Sequence, residues 1–223
     1  MVCYRKICFL AVIIVILFTG PPSFSEPLDI DALIEKIQGI YEETGDLRAE
    51  FIHQVPLQVT GKTFTEEGTF YFKKPGRMCW DYEKPPLKKL VINPEKTWFY
   101  IPEDNRVYVQ ETDDVLISQI AIRFFSGIGN LRENFGITYS EPRCHDEDGN
   151  YMITLKPKEY DEGIQELELL ISGESFYVIG YNLKDMYGNL NRYIFKNIRV
   201  NNDLPESLFH FTPPAGAEIQ ETF

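Results

Sequence analysis

A single, strongly curved antiparallel sheet with helices on one side is the fold that this 223-residue sequence predicts. About eleven stretches alternate apolar and polar residues with a period of two, which is strand periodicity. Short turn signals such as Lys74-Pro75-Gly76, Asn93-Pro94 and Asp148-Gly149 separate them. Two further stretches carry apolar residues at helical spacing, and no linker, repeat or low-complexity tract divides the chain. The class is therefore mainly β with helices, in one domain.

The first 25 residues read as an export signal, leaving 26–223 as the domain. Arg5 and Lys6 precede an unbroken apolar run, Ile7–Phe18. Gly20-Pro21-Pro22 then breaks any helix, and Ser23-Phe24-Ser25 offers small residues for cleavage. The run is short of the roughly 20 apolar residues that span a bilayer. Neither Cys3 nor Cys8 ends the run, so no lipid-modified cysteine is expected at the mature start. The expected location is the periplasm.

Removing that segment leaves 198 residues with 20 Lys/Arg against 34 Asp/Glu. An acidic surface of this kind repels anionic membranes and nucleic acid, and nucleic acid is excluded as a partner. Cys79 and Cys144 remain; a disulfide between them and two unpaired thiols are both open.

The domain begins with a helix over Leu28–Tyr41. Asp29 caps it, Ile30, Leu33, Ile34, Ile37, Ile40 and Tyr41 form its apolar stripe, and Thr44-Gly45 ends it. From Asp46 the period becomes two, with Leu47, Ala49, Phe51, His53 and Val55 on one side of the first strand. Strands near Thr63–Lys73 and Arg77–Tyr82 follow around the Lys74-Pro75-Gly76 turn, then Leu87–Ile92, Thr97–Ile101 and Arg106–Glu111. A second helical stretch lies within Asp113–Asn134, with Leu116, Ile117, Ile120 and Phe124 on one face and Gly127 and Gly129 as a hinge. Five more strands, Ile137–Pro142, Tyr151–Pro157, Gln165–Ser172, Phe176–Asp185 and Leu190–Val200, complete the sheet.

Catalytic chemistry finds no footing here. His53, His145 and His210 are scattered without metal-ligand spacing. Cys144 and His145 adjoin, but neighbours in an extended segment point apart. Asp146-Glu147-Asp148-Gly149-Asn150 begins like a calcium loop, yet Pro157 stands where the bidentate glutamate belongs. No catalytic residues, metal or cofactor are assigned. What concentrates instead is apolar: Phe70, Phe72, Met78, Trp80, Tyr82, Trp98 and Tyr100 on successive strands. They form either the wall of a core or the wall of a pocket for an uncharged ligand.

Several segments carry a family resemblance. They are Phe51-Ile52-His53-Gln54, Gly68–Pro75, Met78–Tyr82 with Pro85, Asn93–Pro102, Phe195–Ile198 and Phe209–Pro214. Their order and spacing resemble the outer-membrane lipoprotein carrier (LolA) family over about residues 28–217. The resemblance implies an unclosed β-barrel of eleven strands whose helical lid covers a hydrophobic cavity for lipoprotein acyl chains. It implies a monomer that receives lipoproteins from an inner-membrane ABC transporter and passes them to an outer-membrane acceptor. The seven apolar residues would line the cavity, and Leu116, Ile117, Ile120 and Phe124 would be the underside of the lid. The family often has arginine before the proline of the Lys74-Pro75 turn, where it holds the lid shut. Lys74 stands there in this chain and is expected to latch more loosely, because an ammonium lacks the planar fork of a guanidinium. The alternative from another class is a periplasmic sensor or regulator that binds lipid or lipoprotein on the same fold.

Overall fold

The computed structural model describes residues 28–57, 60–84, 86–112, 131–159 and 164–221. The leader and the second helical stretch, with Leu116, Ile117, Ile120 and Phe124, lie outside the described residues. Helix α1 (Ile30–Glu43) starts as its sequence dictates: the Asp29 side chain accepts the Asp31 amide at 2.9 Å. At its end the Thr44 amide and hydroxyl donate to the Tyr41 and Ile40 carbonyls.

Six strands follow in a meander: β1 (Asp46–Leu57), β2 (Lys62–Lys73), β3 (Arg77–Tyr82), β4 (Lys88–Ile92), β5 (Lys96–Ile101) and β6 (Arg106–Glu111). A helical turn, α2 (Leu131–Asn134), leads directly into β7 (Phe135–Tyr139), which therefore begins two residues earlier than its periodicity suggested. Then come β8 (Tyr151–Pro157), β9 (Glu166–Ile171), β10 (Val178–Lys184) and β11 (Leu190–Val200). A 3-10 turn at Glu206–Phe209 precedes β12 (Glu218–Glu221).

All twelve strands form one sheet in the order β12-β6-β5-β4-β3-β2-β1-β11-β10-β9-β8-β7. Every pair is antiparallel except β12, which runs parallel to β6. This short last strand is the element that the sequence reading lacked, since its four residues are mostly exposed and carry no apolar alternation. β7 and β12 are the two free edges of the sheet, so the barrel is unclosed.

Curvature follows from the core. β4 and β7 stand eight places apart in the sheet, about 40 Å if it were flat. Ile92 of β4 and Phe135 of β7 nevertheless belong to one buried cluster, and within it the rings of Trp80 on β3 and Tyr193 on β11, three places apart, lie 5.3 Å from each other, so the sheet curls on itself. Leu33, Ile34, Ile37 and Tyr41 of α1 fill the inner face within the same cluster. A bulge in β10 between Val178 and Gly180 turns both Val178 and Tyr181 toward this core, where strict alternation would separate them. The outer face carries a smaller cluster of Cys79, Val91, Leu204 and Phe209, built by the tail packing back on β3 and β4.

Two long-range joints fix the frame. β1 sits between β2 and β11, pairing Phe51 with Gly68 on one side and with Phe195 on the other. Beside them the buried Asp46 carboxylate accepts the Asn202 and Leu204 amides at 2.8 and 3.1 Å, tying the tail to the start of β1.

Candidate functional site: an aromatic inner wall under a latched helix

Five of the seven predicted wall residues come together. Register places Phe70 opposite Trp80, Phe72 opposite Met78 and Gly68 opposite Tyr82, so all of these share the inner face. Phe70, Phe72 and Met78 are fully buried, and Trp80 and Tyr82 nearly so. Their rings form a continuous tiling: Phe70–Trp80 centroids are 4.3 Å apart, Phe51–Trp80 5.1 Å and Phe51–Tyr82 4.9 Å. Gly68 makes this approach possible, because a Cβ there would lie 2.0 Å from the Asp81 carbonyl oxygen and 2.9 Å from the Phe51 ring.

Trp98 and Tyr100 do not join them, which corrects the single wall read from the sequence. Trp98 pairs with Val91, and Val91 with Cys79, so the indole lies on the outer face in the tail-covered cluster. Tyr100 follows with the same parity, its ring 5.6 Å from Phe211. An outer cleft of about 360 Å³ opens beside Trp98, against Phe209, Phe211 and the Asn93–Glu95 turn. The inner position on β5 belongs to Phe99, in register with Leu90 and Tyr108. The run Trp98-Phe99-Tyr100 is apolar at every position, so alternation could not separate its faces. The Asn93–Lys96 turn could have done so, since it sets Ile92 against Thr97 and hence Val91 against Trp98.

Phe51, Tyr181, Tyr193 and Phe195 are wall residues that sequence reasoning missed. They stand on β1, β10 and β11 and reach the Trp80 cluster only because the sheet curls: Trp80 lies 5.3 Å from Tyr193 and 5.9 Å from Phe195. The phenols of this wall stay neutral. Burial pushes Tyr193 up to about 12 and raises Tyr181 and Tyr82 as well, with the Tyr82 hydroxyl 3.3 Å from that of Tyr193.

At one end of the wall the apolar stripe gives way to a polar belt. Glu66, almost fully buried, receives Lys88 at 2.7 Å and faces His53 Nδ1 at 2.8 Å. His53 Nε2 lies 3.0 Å from Asn191 Oδ1, and its ring stacks on Tyr193 at 4.2 Å. A buried carboxylate needs such a partner set, because desolvation otherwise costs several kcal/mol.

At the other end is Lys74. Its ammonium donates to the Tyr41 and Glu42 carbonyls at 2.8 and 2.7 Å, at the C-terminal turn of α1. A cation there meets both orphan carbonyls and the negative end of the helix dipole. Gly76, at φ 59°, turns the chain so that its neighbours can diverge. Lys73 donates to the Leu204 carbonyl and pairs with Glu206, and Arg77 pairs with Glu206 as well. Of the three cations, Lys74 alone serves the helix on the inner face, and the other two hold the outer tail.

The remaining sequence candidates resolve into local structure. The Asp146 carboxylate accepts the Asp148 and Asn150 amides of its own turn. Cys144 Sγ lies 3.3 Å from His145 Nδ1, nearer than an extended segment would permit, because Cys144 sits in a bend. Cys79 and Cys144 are both free thiols, Cys79 beneath the tail on the outer face.

The wall, the overlying helix and the cation at its end now bear comparison with known proteins. Residues 42–212 match the model of the outer membrane lipoprotein carrier protein LolA. The chain belongs to the outer-membrane lipoprotein carrier family. The carrier protein of Methylococcus capsulatus is 32% identical over 187 residues, covering 83% of this chain and 86% of its own. That of Pseudomonas aeruginosa is 29% identical over 193 residues, covering 86% and 88%. Among solved structures, an uncharacterized conserved protein from Thermus thermophilus shares the fold with a TM-score of 0.56 at 11% identity, covering 86% of this chain and 98% of its own. Members of the carrier family are binding and transport proteins, not enzymes.

Proposed function

We propose that this protein is a periplasmic carrier of lipoproteins. It shelters their acyl chains against the inner wall, accepting them from an inner-membrane ABC transporter and delivering them to an outer-membrane acceptor. One observation carries the reading: a helix packs into the same buried cluster as an uncharged aromatic wall, and the Lys74 ammonium bonds its last carbonyls beside two neutral contacts, the Val178 amide to the Tyr41 hydroxyl and the Thr44 to the Tyr177 hydroxyl. Sheltering is necessary because each methylene of an acyl chain loses about 0.8 kcal/mol on exposure to water. Release is equally necessary, and the bonds from this charged donor, worth about 1.5–3 kcal/mol, are a contribution to holding α1 that is small enough to yield.

Phe70, Phe72, Met78, Trp80 and Tyr82 are the wall residues that cargo would touch, joined by Phe51, Tyr193 and Phe195. Lys74 is the latch, standing in for the family's arginine. Leu116, Ile117, Ile120 and Phe124 complete the lid in this reading. Trp98 and Tyr100, on the outer face, are left out of the cavity.

The test is cargo. Intact mass spectrometry of protein purified from the periplasm is expected to find co-purified lipoprotein or lipid. Membranes containing the transporter should hand it lipoprotein on addition of ATP. A protein that never takes lipoprotein under those conditions is not a carrier. Met78→Glu, which puts a charge into the wall, should abolish uptake; unchanged uptake would mean that cargo sits elsewhere.

A further inference from the structure

Seven large apolar side chains are exposed among the described residues, and five of them share one end of the sheet. Leu57 and Phe64 flank the β1–β2 hairpin, Leu87 lies in the β3–β4 connection, and Met186 and Tyr187 form the β10–β11 turn. These connections share an end because Leu57 pairs with Lys62, Tyr82 with Lys88 and Lys184 with Leu190, on adjacent strands. The β1–β11 ladder stops at Gln54–Arg192, so Leu57 projects three residues, about 10 Å, beyond it.

Val55, Leu57 and Phe64 have the same parity as Phe51 and Phe70, so the hairpin extends the inner stripe past the His53–Glu66–Lys88 belt into solvent. Tyr187 is 87% exposed, the extreme among these residues. The charge of this rim also differs from that of the chain. Lys84, Lys88 and Lys89 pair with Glu67, Glu66 and Asp81, while the exposed Lys62 and Lys184 are matched in number by Glu83 and Asp185 of the β3–β4 and β10–β11 connections. An end whose lysines match its carboxylates belongs to a chain of formal charge −12.

We infer that this rim docks on the surface of a phospholipid leaflet, with Leu57, Phe64, Leu87, Met186 and Tyr187 entering the boundary between head groups and acyl chains. Three observations choose lipid over a protein partner. The apolar groups stand on three separate tips with polar residues between them, whereas a protein interface needs a contiguous, shape-matched core. Aromatic and aliphatic tips flanked by lysines suit the interfacial zone, where long cations reach back to the head groups. The rim is also locally neutral, so it can approach an anionic leaflet that the rest of this acidic surface repels. The inference stands on these exposed side chains and does not require the cargo reading.

The test uses protein as the cell exports it, with its terminus fixed by intact mass in every variant, and vesicles of phosphatidylethanolamine and phosphatidylglycerol. Wild type should sediment with the vesicles. Leu87→Ser/Tyr187→Ser should weaken binding about tenfold or more while leaving the circular dichroism spectrum and Tm unchanged, since both side chains are exposed. As an independent readout, fluorescence of a Tyr187→Trp variant should be quenched by brominated lipids beyond the wild-type response. Wild type that ignores vesicles, a double serine variant that binds as well as wild type, or an unquenched Trp at position 187 would overturn the inference. So would a wild-type dimer that these substitutions dissociate, because the rim would then be a contact between copies of this chain. Lipoprotein uptake is scored separately by cargo mass, so either idea can fail alone.

Discussion

Trp80 and Trp98 stand two strands apart and face opposite sides of the same sheet: Trp80 lies in the inner aromatic wall and Trp98 beneath the C-terminal tail. The two indoles therefore report on different surfaces. A Trp98→Phe variant, retaining Trp80, is expected to change its emission when an acylated cargo or a long-chain fatty acid is added. A Trp80→Phe variant, retaining Trp98, is expected to stay constant. A response confined to Trp98 would move the binding surface to the outer cleft.

Lys74 makes its bonds to α1 through one nitrogen, at 2.8 and 2.7 Å. Lys74→Ala should loosen the end of the helix, which keeps its bonds to Val178 and Tyr177, and lower stability by about 1–3 kcal/mol, with faster hydrogen exchange in α1 and unchanged exchange in β8 and β9. Lys74→Arg should restore protection. If exchange in α1 is identical in all three proteins, the lysine is not a latch.

Gly68 leaves no room for a side chain, because a Cβ would press on the β3 backbone rather than on a movable side chain. Gly68→Ala should destabilise by about 3 kcal/mol, the upper part of the overpacking range, and lower Tm accordingly. Gly39, whose Cβ would meet nothing within 4 Å, is the control: Gly39→Ala should be neutral or stabilising in its helix.

The inner phenols and the outer thiol set the alkaline limit of the fold. Burial raises Tyr193 from 10.0 to about 12 and Cys79 from 9.0 to about 12. Their neutral forms are favoured by folding, so between about 9 and 12 the unfolded chain binds fewer protons than the native one. Stability from these groups is thus fully present below pH 9 and declines as pH rises toward 12. Urea midpoints at pH 8, 10 and 11 should fall in that order, and Tyr193→Phe should flatten the decline. The same burial predicts that at pH 8 a thiol reagent modifies Cys144 in the native protein, and Cys79 only after denaturation.

Much of the architecture was legible because it rests on local signals. The period-two stripes of β1 to β3, the Asp29 cap and the Lys74–Gly76 turn each report on a few neighbouring residues, and they led to the right elements. The site was legible only in part. Pairing of Phe70 with Trp80 follows from one hairpin, but contact of Trp80 with Tyr193 and Phe195 depends on a sheet that curls through β1 and β11, more than a hundred residues away in sequence. Faces went astray on β5, where three consecutive aromatics erase the alternation that distinguishes them. The bulge in β10 and the parallel β12 were hidden for similar reasons, one breaking the period and the other too short and polar to show one.

The position of β1 has a consequence for how the chain reaches this state. Strands β2 to β6 and β7 to β11 are each runs of neighbours that can zip up locally, but β1 completes its ladder only when β11, some 140 residues later, arrives. Closing so long a loop is entropically slow. Until then one edge of β1 offers unpaired backbone groups beside Phe51, a surface that invites misassociation. A newly made chain is thus most vulnerable along its own first strand until β11 arrives to cover it.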